Sequence, residues 1–488
     1  MSKKSELPAL IAALVVTAGL LGGGAWWLKN NVMGPEGSFI PPVGLGNDSS
    51  GSNDSSGNSG SARGTSSNAG DIDVAGADGR SGQSILPGAV TAAKQAGLDA
   101  FAKGDYAAAE AAFSAALKEQ RNDPEALIYL NNAAIGNDQA YTIAVAVPAS
   151  PAVNPAMELL RGAAQAQTDI NQAGGINGKP LKMLLLDDQD DEARAKAIAS
   201  ALIGDPAVLG VVGHFSSSTT LAVAESYEAS GLTLVSPTST AVKIAESGDY
   251  IFRTVPSDRL AAATLSRYVL NDLNQQKAAV FYTSESAYSQ SVKSEFTTEL
   301  LSNGGDVVAE VDVSTSGFSA GKAVQAAKAA GAEVIMLALN TATLDQANQI
   351  IALNQQDLPM VGGDSLYNPK VLDVGRQNAL GLTVAVPWHI LSHAQTPFVK
   401  ESQALWGGDI NWRTATAYDA VMTLAEGIKL DPTRPGVAAA LAEPGLSIAG
   451  STAPIRFLPT GDRNQASQLV TVQPGNRSGS GYDYVPVQ

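Results

Sequence analysis

Hydroxyl side chains cluster after two successive apolar runs of this 488-residue chain. The run VLGVVGH precedes Ser216 and Ser217, and the run LTLVSP precedes Thr238 and Thr240. Such clusters could be serine nucleophiles, caps of the helices that follow, or donors to a small anion. Each cluster alone is typical of a helix N-cap. Two consecutive clusters make an anion site an equal alternative, because the free N–H groups and positive end of each following helix suit a carboxylate.

Catalysis is the first alternative use of these hydroxyls. The chain has no G-x-S-x-G nucleophile elbow and three histidines, His214, His389 and His393. We interpret His214 as a packing residue at the end of a strand. The pattern therefore favours binding over catalysis, and we expect a protein that is not an enzyme and has no catalytic residue.

Metal and cofactor sites are the second alternative. The run DDQDDE at 187–192 lacks the glycine and the spaced ligands of a calcium loop. The run GGINGKP lacks the spacing of a phosphate-binding loop and is interpreted as a turn. The absence of cysteine excludes disulfides and thiolate metal sites. The formal net charge of -16 disfavours nucleic acid. We expect no metal, no cofactor and no nucleic-acid partner.

The first 30 residues are predicted to be an N-terminal membrane anchor. Residues 7–28 carry no charge and are long enough to span a bilayer. Lys3 and Lys4 precede this stretch, and Trp26 and Trp27 lie where an interfacial aromatic belt would be. The lysines place the N-terminus in the cytoplasm and the bulk of the chain in the periplasm or extracytoplasmic space. A cleaved signal peptide is the alternative.

Two segments of different composition follow. Residues 31–87 are rich in Gly, Ser and Asn and are predicted to be a flexible linker. Residues 88–138 are rich in alanine, with apolar residues at helical spacing, and they look like a tetratricopeptide repeat. They hold one clear unit and the first helix of a second. Because such arrays need about three units for stability, we interpret the segment as a packing adapter. Binding of a protein partner is the alternative.

The rest of the chain alternates short apolar runs with helical patterns. This alternation is typical of βαβ units on parallel sheets that are covered on both faces. Nine such runs are too many for one compact sheet. We predict an α/β fold with two doubly wound, Rossmann-like lobes. Lobe 1 takes residues of about 139–255 and part of 387–488, and lobe 2 takes about 259–385. The lobes are expected to join near 253–258 and 384–389.

Four motifs carry a resemblance to a known family. They read AQTDINQAGGINGKPLKMLLLDDQDDEARA, VVGHFSSSTTLAVAESYEASGLTLVSPTST, YIFRTVPSD and PIRFLPTGDRN. Residues 141–475 resemble the type I periplasmic binding proteins of the leucine/isoleucine/valine type, the receptors of amino-acid ABC transporters. The succession A-G-G-I-N-G-x-P-L, D-D and G-H-x-S-S-x-x-T is more specific than any of its pieces.

The resemblance implies a set of ligand-binding residues in lobe 1. Ser217, with its neighbour Ser216, matches the loop serine that donates to the ligand carboxylate. Thr238 and Thr240 match the pair that holds the α-carboxylate and α-amino groups. In open α/β sheets, such residues belong at the carboxyl ends of the strands.

The resemblance also implies residues in lobe 2. Tyr288 matches a tyrosine that closes over the ligand, and Asp364 lies where the family has an acidic partner for the ammonium. Asn340 lies near a position that is often aromatic in branched-chain binders. A polar residue there argues against a purely aliphatic pocket.

The function implied is an extracytoplasmic receptor that captures a small amino acid or related amide by hinge closure. It would deliver this ligand to an ABC permease in the membrane. The alternative is a membrane-tethered sensor or scaffold that works through a partner protein, which the helical segment could bind. The ligand stays open among polar amino acids, amides, urea-like molecules and short peptides.

Overall fold

The apolar runs of the sequence form the strands of two sheets. In the computed structural model, which describes residues 82–487, the first sheet has the order β2-β1-β3-β4-β5 and all its pairs are parallel. Its strands are β1 (Tyr141–Val147), β2 (Leu181–Asp187), β3 (Val208–Val212), β4 (Thr233–Ser236) and β5 (Ile251–Arg253). The predicted membrane anchor and most of the predicted linker lie outside the described residues.

The second sheet has seven strands in the order β12-β11-β10-β9-β8-β6-β7. Its first five strands in the chain are parallel, and β11 pairs antiparallel with both β10 and β12. The strands are β6 (Lys277–Tyr282), β7 (Asp306–Asp312), β8 (Val334–Ala338), β9 (Met360–Gly362), β10 (Thr383–Val386), β11 (Gln468–Pro474) and β12 (Tyr482–Pro486). The nine predicted runs are all strands, and β5, β11 and β12 are additional to them.

Helices cover both sheets, as the βαβ pattern requires. Before the first sheet come α1 (Ala92–Ala102), α2 (Tyr106–Glu119) and α3 (Pro124–Ile135). The helices of the first sheet are α4 (Val153–Gln172), α5 (Glu192–Gly204) and α6 (Ser217–Ser230). Before the first strand of the second sheet comes α7 (Asp258–Arg267), and between its strands lie α8 (Ala287–Ser302), α9 (Ala320–Ala329), α10 (Leu344–Asn354) and α11 (Pro369–Gly375). The chain then forms α12 (Pro397–Trp406), α13 (Trp412–Leu430) and α14 (Arg434–Leu441).

Three segments connect the two lobes. The chain leaves the first sheet between β5 and α7 and returns after β10, because α13 packs along α4 and against β3 and β4. It crosses a third time before β11, which joins the second sheet. This third connection is additional to the two predicted ones. Among the described residues, no helix is both long and apolar enough to cross a bilayer.

The helical segment α1–α3 has its own apolar contacts. Phe113 stacks on Tyr129 with ring centroids 5.4 Å apart, and Phe101 meets the same tyrosine edge-on at 5.2 Å. Lys94 is buried between the carboxylates of Asp123 and Glu125, at 2.8 and 2.7 Å. This pairing raises the pKa of the lysine although burial opposes it. Aromatic contacts and a buried ion pair therefore hold the three helices together.

Hydrogen bonds connect the helical segment to the residues before it and to lobe 1 after it. Ile85 N donates to Glu125 Oε1 at 2.6 Å, which fixes residues that the composition assigned to the linker. On the other side, Asn132 Nδ2 donates to Met183 O at 2.8 Å, and Asn132 Oδ1 accepts from Met183 N and from Gln167 Nε2. Because β2 is an edge strand, Asn132 satisfies backbone groups that would otherwise lack a strand partner.

Replacing Asn132 with alanine would leave the buried backbone groups of Met183 without their side-chain partner and would remove one hydrogen bond of the Gln167 amide. We expect Asn132→Ala to lower the free energy of unfolding by about 2–4 kcal/mol. Asn137→Ala, at an exposed position just after the same helix, is the matched control and should change it by less than about 0.5 kcal/mol. Urea denaturation measures both. Equal effects would show that the segment does not depend on this contact.

Candidate ligand-binding site

A cavity of about 40 Å³ lies between the two lobes. Its wall contains Ser216, Ser217 and Thr238 from lobe 1. Tyr288, Asn340 and Asp364 line it from lobe 2. The structure thus brings six of the seven predicted residues to one place, which we call the ligand cavity.

The lobe 1 wall is formed by the start of α6 and the end of β4. Ser216 is the N-cap of α6, and its Oγ accepts from Thr219 N at 3.2 Å, so the capping interpretation holds for this residue. Ser217 Oγ accepts from Ala241 N at 3.1 Å. Thr238 Oγ1 donates to Phe215 O at 2.7 Å. The cap directs the positive end of the α6 dipole at the cavity, where it suits a carboxylate.

Thr240 is the predicted residue that does not line the ligand cavity. Its carbonyl accepts from Asp258 N at 2.9 Å, and its buried hydroxyl is one of the groups that lower the pKa of the Asp258 carboxyl. Asp258 is also buried, and burial raises the pKa of its carboxyl to about 7, although Arg253 and neighbouring hydroxyls oppose this. Thr240 therefore contacts the first connection between the lobes and lies behind the cavity wall.

The lobe 2 wall depends on a close approach between two segments. Tyr288, at the start of α8, accepts a long hydrogen bond of 3.5 Å from Ser365 N. A Cβ atom on Gly363 would lie 2.1 Å from the hydroxyl oxygen of Tyr288, so a larger residue there would require the tyrosine to shift. Asn340 caps a short turn, since its Oδ1 accepts from Thr343 N at 3.1 Å. These contacts fix the positions of Tyr288 and Asp364 relative to each other.

Eight residues of the wall were missing from the sequence prediction, and Asp190, Trp412 and Arg413 are among them. Asp190 belongs to the acidic run, and burial raises its pKa to about 6. Trp412 and Arg413 form the first turn of α13, and both side chains are buried. The available signal was the pair of charged residues Arg413 and Asp419 in the run WRTATAYDAVMTLA, whose other residues are uncharged.

The ligand cavity contains two groups of opposite charge, the carboxyl of Asp364 and the guanidinium of Arg413. Burial raises the pKa of Asp364 to about 6, and the positive charge of Arg413 is the main influence that lowers it. Burial in turn lowers the pKa of Arg413, and the charge of Asp364 is the strongest influence that opposes this. The cavity therefore contains a carboxyl group and a guanidinium cation in a desolvated place, where interactions between charges are strong.

The lobes touch directly beside the cavity. Ala287 N of lobe 2 donates to Ser218 Oγ of lobe 1 at 3.1 Å. Val242 N of lobe 1 donates to Ser291 Oγ of lobe 2 at 3.1 Å. Two hydrogen bonds across the cleft mean that the lobes are closed on each other in this structure.

The other acidic residues near β2 have structural partners. Asp188 lies 2.7 Å from Nδ1 of His214, and Nε2 of that histidine lies 3.3 Å from the hydroxyl of Tyr227. Asp187 accepts from Ser150, and Asp191 caps α5. His214 is thus a buried strand-end residue, as predicted. Among the described residues, no group of three or more acidic or histidine side chains is arranged to hold a metal ion.

Two doubly wound lobes that close over a polar cavity define a hinged binding fold. A model of the family described as periplasmic binding protein matches residues 140–480 of the chain. The chain belongs to this family, and the match begins after the helical segment α1–α3.

Curated relatives agree with this assignment. An amino acid binding protein of Pseudomonas aeruginosa is 37% identical over 123 residues, which are 25% of this chain and 33% of the relative. The Leu/Ile/Val-binding protein of Escherichia coli K12 is 34% identical over 122 residues, with the same coverage. The chain thus spans about a third of the length of these two relatives. A Leu/Ile/Val-binding protein homolog of Brucella melitensis is 27% identical over 279 residues, 56% of this chain and 74% of the relative.

Solved structures show the same fold. A leucine-binding protein from Thermotoga maritima superposes with a TM-score of 0.63 at 19% identity, covering 71% of this chain and 98% of the other. A branched-chain amino acid binding protein of Streptococcus pneumoniae in complex with isoleucine gives 0.60 at 21% identity, covering 72% and 100%.

The buried Asp258 makes stability depend on pH. Its pKa is about 7 in the folded protein against 3.8 for an ordinary aspartate, so the folded state binds more protons between about pH 4 and 7. Raising the pH through this window therefore lowers the free energy of unfolding. We expect Asp258→Asn to be more stable than the unaltered chain at pH 8 by about 2–4 kcal/mol, and to show a smaller slope between pH 4 and 7.

Urea denaturation at a series of pH values measures this slope, and Asp249→Asn, at an exposed position, is the control. An unchanged slope in Asp258→Asn would show that this carboxyl is not the group that titrates.

The contact between Gly363 and Tyr288 can be tested by a pair of substitutions. Gly363→Ala places a methyl group against the tyrosine hydroxyl and should cost about 1–3 kcal/mol of stability. Tyr288→Phe removes that hydroxyl, so the double variant should be more stable than the sum of the single effects predicts, by about 1 kcal/mol. Thermal denaturation of the four chains gives the coupling. Additive effects would mean that the two residues do not touch.

Proposed function

We propose that this protein is an extracytoplasmic solute receptor that captures a small amino acid or related amide by closure of its two lobes. The observation that carries the proposal is the ligand cavity, to which both lobes contribute polar side chains at the carboxyl ends of their strands. Because the chain belongs to a family of binding proteins, the proposal gives the cavity residues a binding role and assigns no catalytic residue.

The wall supplies a partner for each charged group of an amino acid. The α-carboxylate faces the start of α6, with Ser217 and Thr238 beside it. The ammonium pairs with Asp364, whose raised pKa falls again when a cation binds next to it. Each ligand charge is then matched, which limits the cost of removing it from water.

Closure of the lobes is the signal that we expect a permease to read. In the closed form Ser218 and Ser291 bridge the lobes, and the ligand adds contacts that exist only when both walls are present. A ligand that contacts both lobes stabilises the closed form by its extra affinity for it. An ABC permease of the amino-acid type is the proposed recipient, and the first 30 residues are the proposed membrane anchor.

The helical segment α1–α3 is proposed to be a packing adapter. Its contacts with β2 and α4 through Asn132 make it part of the body of lobe 1. These buried contacts support the adapter interpretation over an independent peptide-binding repeat.

Isothermal titration calorimetry of the full chain with each of the twenty amino acids, urea and short amides tests the function. We expect at least one amino acid to bind, and Asp364→Asn to weaken it by about tenfold or more, because a buried ammonium loses its charged partner. Ser217→Ala should weaken the same ligand less. Asp373→Asn and Ser302→Ala, both at exposed positions, are the matched controls.

Two outcomes would contradict the proposal. The first is that no compound of the panel binds to the unaltered chain. The second is that Asp364→Asn binds the ligand as well as Asp373→Asn does.

A further inference from the structure

Arg413 is a buried cation with few partners in the protein. Its side chain is 1% exposed and lines the ligand cavity at the start of α13. Nη1 donates to Tyr367 O at 3.3 Å, and Nε is buried without a hydrogen-bond partner. The guanidinium lies 4.2 Å from the ring centroid of Trp412. Since an arginine carries five N–H donors, most of its hydrogen-bonding capacity is unused.

The acids near Arg413 do not form an ion pair with it. Among the described residues, no carboxylate oxygen lies within 4.0 Å of its guanidinium, although Asp364 and Glu158 are close enough to affect its pKa. Glu158 is engaged elsewhere, because it accepts from Arg161, Thr414 and Asn411 N. Asp364 is the carboxylate that the proposed function gives to the ligand ammonium. A bound amino acid therefore leaves Arg413 without a full counter-charge.

The surroundings of Arg413 suit a polar group. Ser286, Asn340, Thr341 and Ser365 share the wall, and the indole Nε1 of Trp412 is a second buried donor without a partner. An aliphatic side chain placed here would cover these donors and satisfy none of them. A buried donor that loses water and gains no acceptor is costly, more so when it is charged.

We infer that Arg413 is a specificity residue for ligands with an oxygen acceptor on the side chain, a carboxamide or a carboxylate, over aliphatic amino acids of the same size. The inference rests on the proposed function, because it assigns a side-chain partner to a ligand whose α-groups bind at Ser217 and Asp364. Sites that hydrogen-bond a ligand group reject the analogue that lacks it far more strongly than apolar pockets reject a polar one.

The test compares asparagine with leucine, which have nearly the same shape, and aspartate as the charged acceptor. Calorimetry on the unaltered full chain should give at least tenfold tighter binding of asparagine or aspartate than of leucine. Arg413→Met keeps the length and removes the donors, and it should reduce this ratio by about tenfold or more while leucine changes by less than about threefold. Arg413→Lys keeps the charge and should retain part of the ratio. Arg456→Met, at an exposed position, is the control.

The possible results separate this inference from the proposed function. Tighter binding of leucine than of asparagine and aspartate overturns the inference and leaves the function standing. Equal weakening of all ligands in Arg413→Met also overturns it, since Arg413 would then hold the α-carboxylate or Asp364. Failure of every amino acid to bind the unaltered chain overturns the function itself. Circular dichroism checks folding, and if Arg413→Met does not fold, the unaltered ratio and Arg413→Lys decide.

Discussion

The burial of opposite charges between the two lobes is the constraint on which the rest of the structure depends. Asp364 and Arg413 sit in a cleft where water is largely excluded, and neither has an ion pair that satisfies it. An isolated charge in such a place is unstable, so its pKa shifts or it must gain a partner. Under the proposed function, the ligand ammonium is the partner of Asp364 and an oxygen acceptor on the ligand side chain is the partner of Arg413, which ties the closed arrangement of the lobes to occupancy of the cavity.

The fold places these charges because of how parallel sheets are built. Every strand of a parallel sheet ends at the same edge, so residues that follow β3 and β4 meet at one edge of lobe 1. The corresponding edge of lobe 2 carries the residues that follow β8 and β9. Three connecting segments hold the two edges face to face. The helix α13 packs on lobe 1, and Arg413 lies in its first turn.

The helical segment α1–α3 supplies hydrogen-bond partners to the backbone of the edge strand β2. An edge strand exposes unpaired backbone groups, which invite pairing with another chain. Asn132 meets these groups with a side-chain amide that offers one donor and one acceptor to the backbone of Met183. The buried ion pair of Lys94 and the bonds of Glu125 to residues 84 and 85 hold the segment itself in place.

The sequence by itself determined the elements whose signal is local. Apolar runs predicted nine strands, because a strand buried on both faces needs a continuous apolar stretch, and the first hydroxyl cluster predicted the start of α6, which Ser216 caps. The helix predicted after the second cluster was wrong in kind, because a short 3-10 helix, Val242–Glu246, follows there without a side-chain cap. Tertiary structure alone decided what depends on distant parts of the chain. The hairpin β11–β12 joins the second sheet by pairing with β10 across more than eighty residues, and periodicity carries no register information of that kind. The sequence likewise could not show that Thr240 lies behind the wall of the ligand cavity and that Arg413 lines it. Whether a side chain reaches the cavity depends on how the two lobes pack, and not on its neighbours in sequence.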